Sequence, residues 1–295
     1  MQKNSKILVT GAAGFIGTNF TEKALSLGFE VSVIDFLTYS GIESNILRFK
    51  NFNKFKFNKI NILDKKNITK LIKEFKPAYI INFAAESHVD RSIDNPISFI
   101  ETNTLGVINL LQCIKESNSQ DNTTFIQIST DEVYGEVIGQ ANENTRYSPN
   151  SPYSASKASA DLFIRSWIKT FGIKSIILHP SNNYGPRQFP EKLIPLAITN
   201  ALEKKKIPIY GNGSQVREWI YVEDTVDAIL ACIYKKKVSG HINVGSGKRL
   251  SNLELVKKIC LILEKENRQY KFKYSTLIFF TEDRPGHDNR YAINS

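Results

Sequence analysis

The chain has 295 residues, of which 41% are hydrophobic and 23% charged, and its formal net charge is +10. That length and apolar content are sufficient for a large buried core, which excludes a disordered or fibrous protein. No stretch approaches the roughly 18 uninterrupted apolar residues of a membrane helix, and no secretory signal precedes residues 6–10. We therefore expect a cytoplasmic protein with no membrane partner.

The positive charge is spread along the chain instead of forming a patch. Short runs such as 204–206 and 235–237, all lysine, stand at the expected ends of helices, where cations favour the helix dipole. Nucleic-acid binding requires clustered lysine and arginine that neutralise phosphates. The sequence therefore predicts no nucleic-acid partner, although the positive field favours a diphosphate ligand.

Three cysteines bear on compartment and metal binding. Cys113, Cys232 and Cys260 are odd in number, far apart and set in helix-like stretches. This pattern predicts reduced thiols in the core and neither a disulfide framework nor a metal site.

Taken in order, the apolar runs of the first half alternate between two periods. Five β-rich runs are predicted as strands, at residues 6–10, 30–34, 79–83, 124–129 and 175–179, with amphipathic helical stretches between them. This alternation predicts an α/β fold, a Rossmann-type doubly wound parallel sheet over residues 1–180. Beyond Pro180 the pattern is irregular, and a strand-helix-strand segment at 217–246 is expected to rejoin the sheet. Residues 181–295 otherwise form a smaller, discontinuous C-terminal lobe.

A glycine-rich turn follows the first strand. Gly11, Gly14 and Gly17 stand between that strand and a helix predicted at 18–27, where glycine permits close approach of a pyrophosphate to the helix N-terminus. Asp35 ends the next strand, where its carboxylate would accept both ribose hydroxyl protons and repel a 2′-phosphate. The pattern predicts NAD as the cofactor and disfavours NADP.

A tyrosine and a lysine four residues apart are candidates for proton transfer. Tyr153 and Lys157 would share one helix face, and the ammonium group is expected to lower the pKa of the phenol towards the working pH. Alone, such a pair is common on protein surfaces. Here it follows a dinucleotide-binding pattern and a strand that ends at residues 129–132 (STDE).

Several longer motifs carry a family resemblance. They are residues 84–92 (AAESHVDRS), 129–135 (STDEVYG), 151–157 (SPYSASK), 181–186 (SNNYGP), 189–195 (FPEKLIP), 283–288 (DRPGHD) and 290–293 (RYAI). Together they resemble the dTDP-glucose 4,6-dehydratases, NAD-dependent members of the extended short-chain dehydrogenases, over almost the whole chain. These motifs are more specific than the glycine turn or the tyrosine–lysine pair.

The resemblance implies the chemistry of a hydro-lyase that converts dTDP-glucose to dTDP-4-keto-6-deoxy-glucose. Tyr153, assisted by Lys157, would take the C4 hydroxyl proton, and Thr130 would hydrogen-bond the C4 oxygen. Glu132 would remove the C5 proton and Asp131 would protonate the departing C6 hydroxyl. The two carboxyl groups suit these opposite roles only if their surroundings separate their pKa values. A competing interpretation of residues 130–132 is a helix cap with an acidic first turn.

The family also implies which residues bind the cofactor and the substrate, a nucleotide sugar. The cofactor residues are Gly11, Gly14, Phe15, Ile16, Gly17, Asp35, Phe36, Leu37, Thr38, Asn61, Ile62, Ala84, Ala85, Thr102, Tyr153, Lys157 and Asn183. The substrate residues are Ser87, Thr130, Asn182, Lys192, Leu193, Pro208, Ile209, Tyr210, Arg217, Asn252, Asp283, Arg284, Pro285, Gly286 and His287. Arg217 and Arg284 are the expected diphosphate clamps, because a guanidinium fork matches phosphate oxygens. The family further implies a homodimer.

The chain departs from the family pattern at a few positions. Asn61 stands where aspartate is usual, Glu218 follows Arg217 in place of aspartate, and Arg187 replaces an aromatic residue. Family members also continue beyond the position of Ser295, so the second lobe is expected to be truncated. Three alternatives stay open: a 4,6-dehydratase for another nucleotide sugar such as UDP-glucose, a 4-epimerase, and an inactive NAD-binding protein. Asp131 and Glu132 disfavour the epimerase, which needs no such pair.

Overall fold

The computed structural model describes residues 5–235, 240–267 and 272–295. In chain order its strands are β1 (Lys6–Thr10), β2 (Glu30–Asp35), β3 (Phe55–Lys59), β4 (Tyr79–Asn82), β5 (Thr124–Ile128), β6 (Ser175–Pro180), β7 (Asn182–Tyr184), β8 (Ile207–Tyr210), β9 (Val216–Tyr221), β10 (Gly240–Val244), β11 (Arg249–Ser251) and β12 (Ile278–Thr281). The helices are α1 (Phe15–Ser26), α2 (Glu43–Leu47), α3 (Lys65–Phe75), α4 (Val89–Asp94), α5 (Pro96–Phe99), α6 (Gly106–Glu116), α7 (Pro152–Phe171), α8 (Leu193–Leu202), α9 (Val222–Tyr234) and α10 (Asn252–Glu266). A π-helical stretch, Ile100–Leu105, joins α5 to α6, and short 3-10 helices span Asp131–Tyr134 and Tyr274–Leu277.

A parallel sheet forms the centre of the molecule. In the described part of the chain it has the strand order β10-β6-β5-β4-β1-β2-β3, and every neighbouring pair is parallel. The chain moves outward from β1 to β3 and then returns to add β4 on the other side of β1. This reversal opens a crevice beyond the carboxyl ends of β1 and β4, where doubly wound folds bind ligands. The predicted Rossmann-type fold class is confirmed.

Two apolar layers cover the sheet. Successive residues of β1 point to opposite faces, so Ile7 and Val9 join a cluster with α1 and α9, whereas Leu8 joins one with α3, α6 and α7. Strands buried on both faces require continuous apolar sequence, which explains the run at 7–9. The two layers fix the positions of the strand ends that border the crevice.

The second lobe has its own small core. Strands β7, β9 and β11 form one sheet, β8 and β12 form another, and Ile207, Ile209 and Val256 pack with α8 and α10 in a separate cluster. Within the segment 217–246, α9 packs against the central sheet and β10 pairs with β6. Strand β9 instead pairs with β7 and β11.

The structure differs from the sequence predictions at a few boundaries. Strand β3 was not predicted, because its pattern of phenylalanines between lysine and asparagine gives only a five-residue signal at the edge of the sheet. Helix α1 begins at Phe15, three residues earlier than predicted, so its first turn is formed by the glycine motif itself. The lysine run 204–206 follows α8 and Lys235 caps α9, whereas Lys236 and Lys237 lie outside the described residues.

The three cysteines are free and buried, as predicted. One helical segment among the described residues, Pro96–Glu116, is long and apolar enough to cross a membrane by length and composition. Half of its most apolar stretch is buried inside the structure, where the segment packs against α3 and α7. Core helices of globular proteins pass the same test.

Candidate active site

The glycine turn shapes one end of the crevice. Gly11 has a φ of +71°, and a Cβ atom there would lie 2.4 Å from the backbone nitrogen of Ala84 at the end of β4. A Cβ on Gly17 would lie 2.3 Å from the carbonyl oxygen of Gly11. Gly14 caps α1 without any side-chain hydrogen bond, so the N–H groups of the first turn face the crevice. Only glycine permits this close packing around a helix N-terminus that favours an anion.

Asp35 lies at the carboxyl end of β2 and braces this turn. Its two carboxylate oxygens accept hydrogen bonds from the backbone nitrogens of Ala13 and Leu37, each at 2.8 Å. Burial raises the pKa of Asp35, and these backbone hydrogen bonds oppose the rise. The carboxylate therefore orders the glycine turn as well as lining the cavity beside it.

Two adjoining cavities occupy the crevice, and both are lined by Gly11, Gly14 and Ala85. Of the predicted cofactor residues, the first cavity also contains Asp35, Phe36, Thr38, Asn61, Ile62, Ala84 and Thr102, and the second contains Phe15, Ile16, Gly17, Tyr153 and Lys157. Leu37 instead packs against the apolar core with a φ of +58°. Asn183 lines a third cavity, beside Tyr153 and residues 129–132.

Tyr153 lies in the first turn of α7 and Lys157 in the second, and both are buried. The Lys157 Nζ donates to the carbonyl oxygen of Ile128 at 2.6 Å, and burial lowers its pKa to about 8, against the attraction of Asp161. The pKa of Tyr153 is raised, first by burial and next by the negative charge of Glu132, although a hydrogen bond with Thr130 opposes the rise. The pKa of the phenol is therefore not lowered towards the working pH as expected, because burial and the charge of Glu132 outweigh that hydrogen bond.

Residues 130–132 form the start of the 3-10 helix that follows β5. The Thr130 hydroxyl caps it by accepting from the backbone nitrogen of Glu132 at 3.3 Å. The helix-cap interpretation is thus realised, but Glu132 also lines the same cavity as Tyr153 and Asp131. The same short helix is thus capped by Thr130 and carries two carboxyl groups that line the cavity.

The two neighbouring carboxyl groups have different electrostatic surroundings. Burial raises the pKa of Asp131 well above its usual range, and the charge of Glu132 raises it further, with Arg217 as the main opposing cation. Burial also raises the pKa of Glu132, but Arg217, Arg284 and Lys192 all act to lower it. Asp131 Oδ2 and Glu132 Oε2 are buried without a hydrogen-bond partner in the described structure. The surroundings therefore raise the pKa of Asp131 further than that of Glu132.

A larger cavity, of about 470 Å³, extends from Glu132 into the second lobe. Of the predicted substrate residues it is lined by Ser87, Asn182, Lys192, Leu193, Pro208, Ile209, Tyr210, Arg217, Asn252, Arg284 and His287. Thr130 lines the neighbouring cavity. Asp283, Pro285 and Gly286 line neither of them; Asp283 instead accepts a hydrogen bond of 2.6 Å from Nδ1 of His287 and so orients that ring.

The two predicted clamp arginines are held in different ways. Arg217 donates to the carbonyl oxygens of Val216 and Asp288, each at 2.9 Å, and its guanidinium lies over the Tyr291 ring. Arg284 contacts Asp90 at 3.5 Å, and its Nε is buried with no hydrogen-bond partner in the described structure. Both side chains reach the cavity with positive charge, which suits a diphosphate.

Six further residues line this cavity and were not predicted as site residues: His88, Val89, Asp90, Glu191, Leu196 and Trp219. His88 and Asp90 lie inside the motif 84–92, and Glu191 lies inside 189–195. Their membership of these motifs was the signal that could have identified them. Their contacts were hidden, because the motifs are about 100 residues apart in the chain.

The departures from the family pattern have local structural roles. Arg187 pairs with Glu22 at 2.6 Å and donates to Asn19, so it ties the second cavity to α1. Glu218 is fully buried and pairs with Arg249 at 2.8 Å. Asn61 lines the first cavity and accepts from the backbone nitrogen of Leu63 at 2.9 Å.

Comparisons with known proteins agree with this geometry. Residues 8–295 match the family model described as GDP-mannose 4,6 dehydratase. The chain is 43% identical to a dTDP-glucose 4,6-dehydratase of Xanthomonas campestris over 297 residues, which is 98% of this chain and 85% of that protein. The crystal structure of DesIV, a dTDP-glucose 4,6-dehydratase from Streptomyces venezuelae with NAD bound, superimposes with a TM-score of 0.90 at 37% identity and covers 98% of this chain and 88% of DesIV.

The structural likeness also extends to epimerases. A UDP-glucuronic acid 4-epimerase from Bacillus cereus superimposes with a TM-score of 0.88 at 28% identity, over 98% of this chain and 90% of the epimerase. The fold alone therefore does not separate the two reactions, whereas the higher sequence identity to the dehydratases favours dehydration. By that family match and those relatives, the chain belongs to the nucleotide-sugar 4,6-dehydratase family.

Proposed function

We propose that this protein converts dTDP-glucose to dTDP-4-keto-6-deoxy-glucose with bound NAD. The observation that carries the proposal is the carboxyl pair. Asp131 and Glu132 are buried beside Tyr153, and Glu132 also borders the larger cavity of the second lobe. An oxidation site and an elimination site are thus adjacent.

The chemistry requires both sites. The C5 hydrogen of a hexose is not acidic, but it becomes so once C4 is a ketone, and loss of the C6 hydroxyl is then an elimination. Bound NAD supplies the acceptor of two electrons for the oxidation at C4 and returns them at C6, so it is not consumed. The protein must therefore handle protons at three carbons of one sugar.

Tyr153, Lys157 and Thr130 are the proposed oxidation residues. The phenol accepts the C4 hydroxyl proton, the ammonium group of Lys157 one turn later stabilises the resulting phenolate, and Thr130 orients the C4 oxygen. The raised pKa of Tyr153 makes this support necessary, since an unsupported buried phenol holds its proton.

Glu132 and Asp131 are the proposed elimination residues. Three cations oppose the rise in the pKa of Glu132, which supports an ionised base that removes the C5 proton. The pKa of Asp131 is raised further, which supports an acid that protonates the departing C6 hydroxyl. These unequal surroundings support the roles that the family resemblance implies for the two carboxyl groups.

The residues of the crevice fit NAD. The uncapped first turn of α1 suits the pyrophosphate, Asp35 lines the cavity where a ribose would lie, and a carboxylate there disfavours a 2′-phosphate. Arg217, Arg284 and Lys192 would hold the substrate diphosphate across the larger cavity. Thr102, Asn182, Asn183 and Asn252 are proposed as further contacts.

A direct assay tests the function. The purified protein is incubated separately with dTDP-glucose and UDP-glucose, and mass spectrometry follows the loss of one water. We expect loss of water from dTDP-glucose and no stoichiometric accumulation of NADH. Preference for UDP-glucose would reassign the substrate, and epimerisation without loss of water would refute the dehydratase.

We also propose a homodimer in the cytoplasm. The apolar helical segment 96–116 and helix α7 pack together and expose Ile97, Ile100, Leu105, Leu162 and Phe163 on adjoining surfaces. An exposed apolar surface of this kind supports contact with a second copy of the chain. The three free, buried thiols support a reducing compartment.

A further inference from the structure

A buried polar network lies behind Lys157. It reaches the cavities that contain Tyr153 through Ser129. Its centre is Asp161, which follows Lys157 by one turn of α7 and is fully buried. The Asp161 Oδ2 accepts from the Ser129 hydroxyl at 2.6 Å and contacts Nε2 of His179 at 3.1 Å. The Tyr147 hydroxyl contacts the same ring nitrogen at 2.9 Å and donates to Asp161 at 3.4 Å.

The network holds a negative charge where burial makes charge costly. A buried carboxylate requires several donors or a nearby cation. Its Oδ2 has three such partners, whereas its Oδ1 accepts no hydrogen bond within the described structure. Lys157 is the cation one turn away, and it donates to the carbonyl of Ile128 at the end of β5. The two side chains thus compensate each other's charge through space.

Other charged and titratable groups surround this pair from each packed element. They are Tyr153 and Arg165 on α7, Tyr134 in the 3-10 helix, Tyr147 and Glu143 in the loop before α7, His179 on β6 and His241 on β10. The charge that raises the pKa of Lys157 is that of Asp161. Ser129 connects Asp161 to the cavity, since it lines that cavity with Tyr153 and Lys157.

We propose that Asp161 is a positioning residue that keeps Lys157 charged and thereby sets the upper pH limit of the oxidation at C4. Asp161 lines none of the cavities described above, and we assign its effect to Lys157. The proposal rests on the proposed function, because it assigns Lys157 the support of Tyr153. His179 and Tyr147 hold the carboxylate in place.

The sign of the effect follows from the charges. The pKa of Lys157 is already lowered by burial, and the negative charge of Asp161 opposes that lowering. Removal of the charge lets the pKa fall further, so the ammonium group is lost at a lower pH. Asp161 lies one helical turn from Lys157, and a nearby opposite charge shifts a pKa by about one unit or more. The basic limb of the pH profile of kcat should move down by about that amount.

The test compares three variants across pH 5.5–9. For Asp161→Asn we expect a basic limb displaced by about one pH unit, near-normal kcat at the acid end, and a roughly tenfold loss one unit above the new limb. Tyr147→Phe is the matched control, since it removes hydrogen bonds to the same network without removing charge, and its limb should not move. Asp161→Glu keeps the charge and should keep the limb. If Asp161→Asn does not fold, Asp161→Ser replaces it.

Two results would overturn the proposal. One is an equal loss of kcat at every pH in Asp161→Asn, which is the signature of a structural role. The other is a limb that moves as far in Tyr147→Phe as in Asp161→Asn. A titration of ¹³C-labelled lysine Cε signals in the NAD-bound protein, with Lys157 assigned through Lys157→Arg, reports the same shift without substrate. That measurement separates failure of this proposal from failure of the dehydratase assignment.

Discussion

Asp131 and Glu132 are adjacent, yet we propose opposite proton-transfer roles for them. The difference comes from Lys192, Arg217 and Arg284, which act on Glu132 from the second lobe. Of these three cations, Arg217 is the one that opposes the raised pKa of Asp131. The acid and the base are therefore distinguished by residues that belong to the substrate cavity, and the two lobes must be assembled before the pair can work.

Glu132→Gln separates the two half-reactions. The amide keeps the shape but cannot remove the C5 proton, so turnover should fall by about two to four powers of ten while the oxidation at C4 survives. Single-turnover absorbance should show reduced cofactor forming on the enzyme, with no loss of water and slow exchange of C5 deuterium with solvent. Tyr153→Phe is the comparison, because it should abolish both signals. Dehydration by Glu132→Gln at the unmodified rate would remove Glu132 from the mechanism.

At single residues, the sequence was sufficient where the chemistry is local. The sites of Gly11, Gly14 and Asp35 could be predicted because these residues stand at strand ends or in the turn between a strand and a helix. The direction in which the pKa of Tyr153 shifts could not be predicted in that way. It depends on burial and on the charge of Glu132, which is 21 positions earlier in the chain. The unequal surroundings of the carboxyl pair depend in the same way on arginines more than 80 positions further along.

At the scale of elements, three segments meet at Glu191, which lines the second cofactor cavity and the larger cavity. The Tyr39 hydroxyl, after β2, donates to Oε1 of Glu191 at 3.1 Å, and the Arg91 guanidinium of α4 lies 3.8 Å from the centre of the Tyr39 ring. The Arg91 Nε contacts Oε2 of Glu191 at 3.5 Å. We call these residues the Tyr39–Arg91–Glu191 cluster. This cluster could not be predicted from the sequence, because its members are up to 152 positions apart.

Arg91→Ala tests whether this cluster retains the cofactor. The change removes a cation–π contact and a part-exposed ion pair, together about 1–2 kcal/mol, so NAD should dissociate about tenfold faster. Stopped-flow release of NAD measures the rate. Arg48→Ala, at an exposed arginine after α2, is the matched control and should leave the rate unchanged. Equal rates in the two variants would show that the cluster does not restrain the cofactor.

The strands show how far element prediction extends. Five of the central strands were predicted within one residue of each boundary, because strands buried on both faces are long apolar runs. Strand β9 contains apolar residues too, but it pairs with β7 and β11, a choice that depends on the sheet partners and not on its own pattern. Composition and hydrophobic period thus predict where a strand lies more reliably than they predict which strands it pairs with.

At the scale of the whole molecule, the exposed apolar surface of helices α5 to α7 is the feature that a single copy leaves unexplained. Ile97 is 61% exposed and Leu162 is 53% exposed, on helices that pack against each other. The same helices carry Thr102, Tyr153 and Lys157, so contact there would also brace the active site. A dimer through this surface would bury the apolar side of the segment 96–116 that the central sheet does not cover.

Charge substitutions on this surface test the dimer. Ile97→Glu and Leu162→Glu would each place a carboxylate in an apolar contact, which should weaken association by about two powers of ten or more. Sedimentation equilibrium should then give a mass near 33.4 kDa, against twice that for the unmodified chain. Leu261→Glu is the matched control, since Leu261 is 57% exposed on α10, away from this surface, and it should leave the dimer intact. A monomer in the unmodified protein, or equal dissociation in all three variants, would contradict association through these helices.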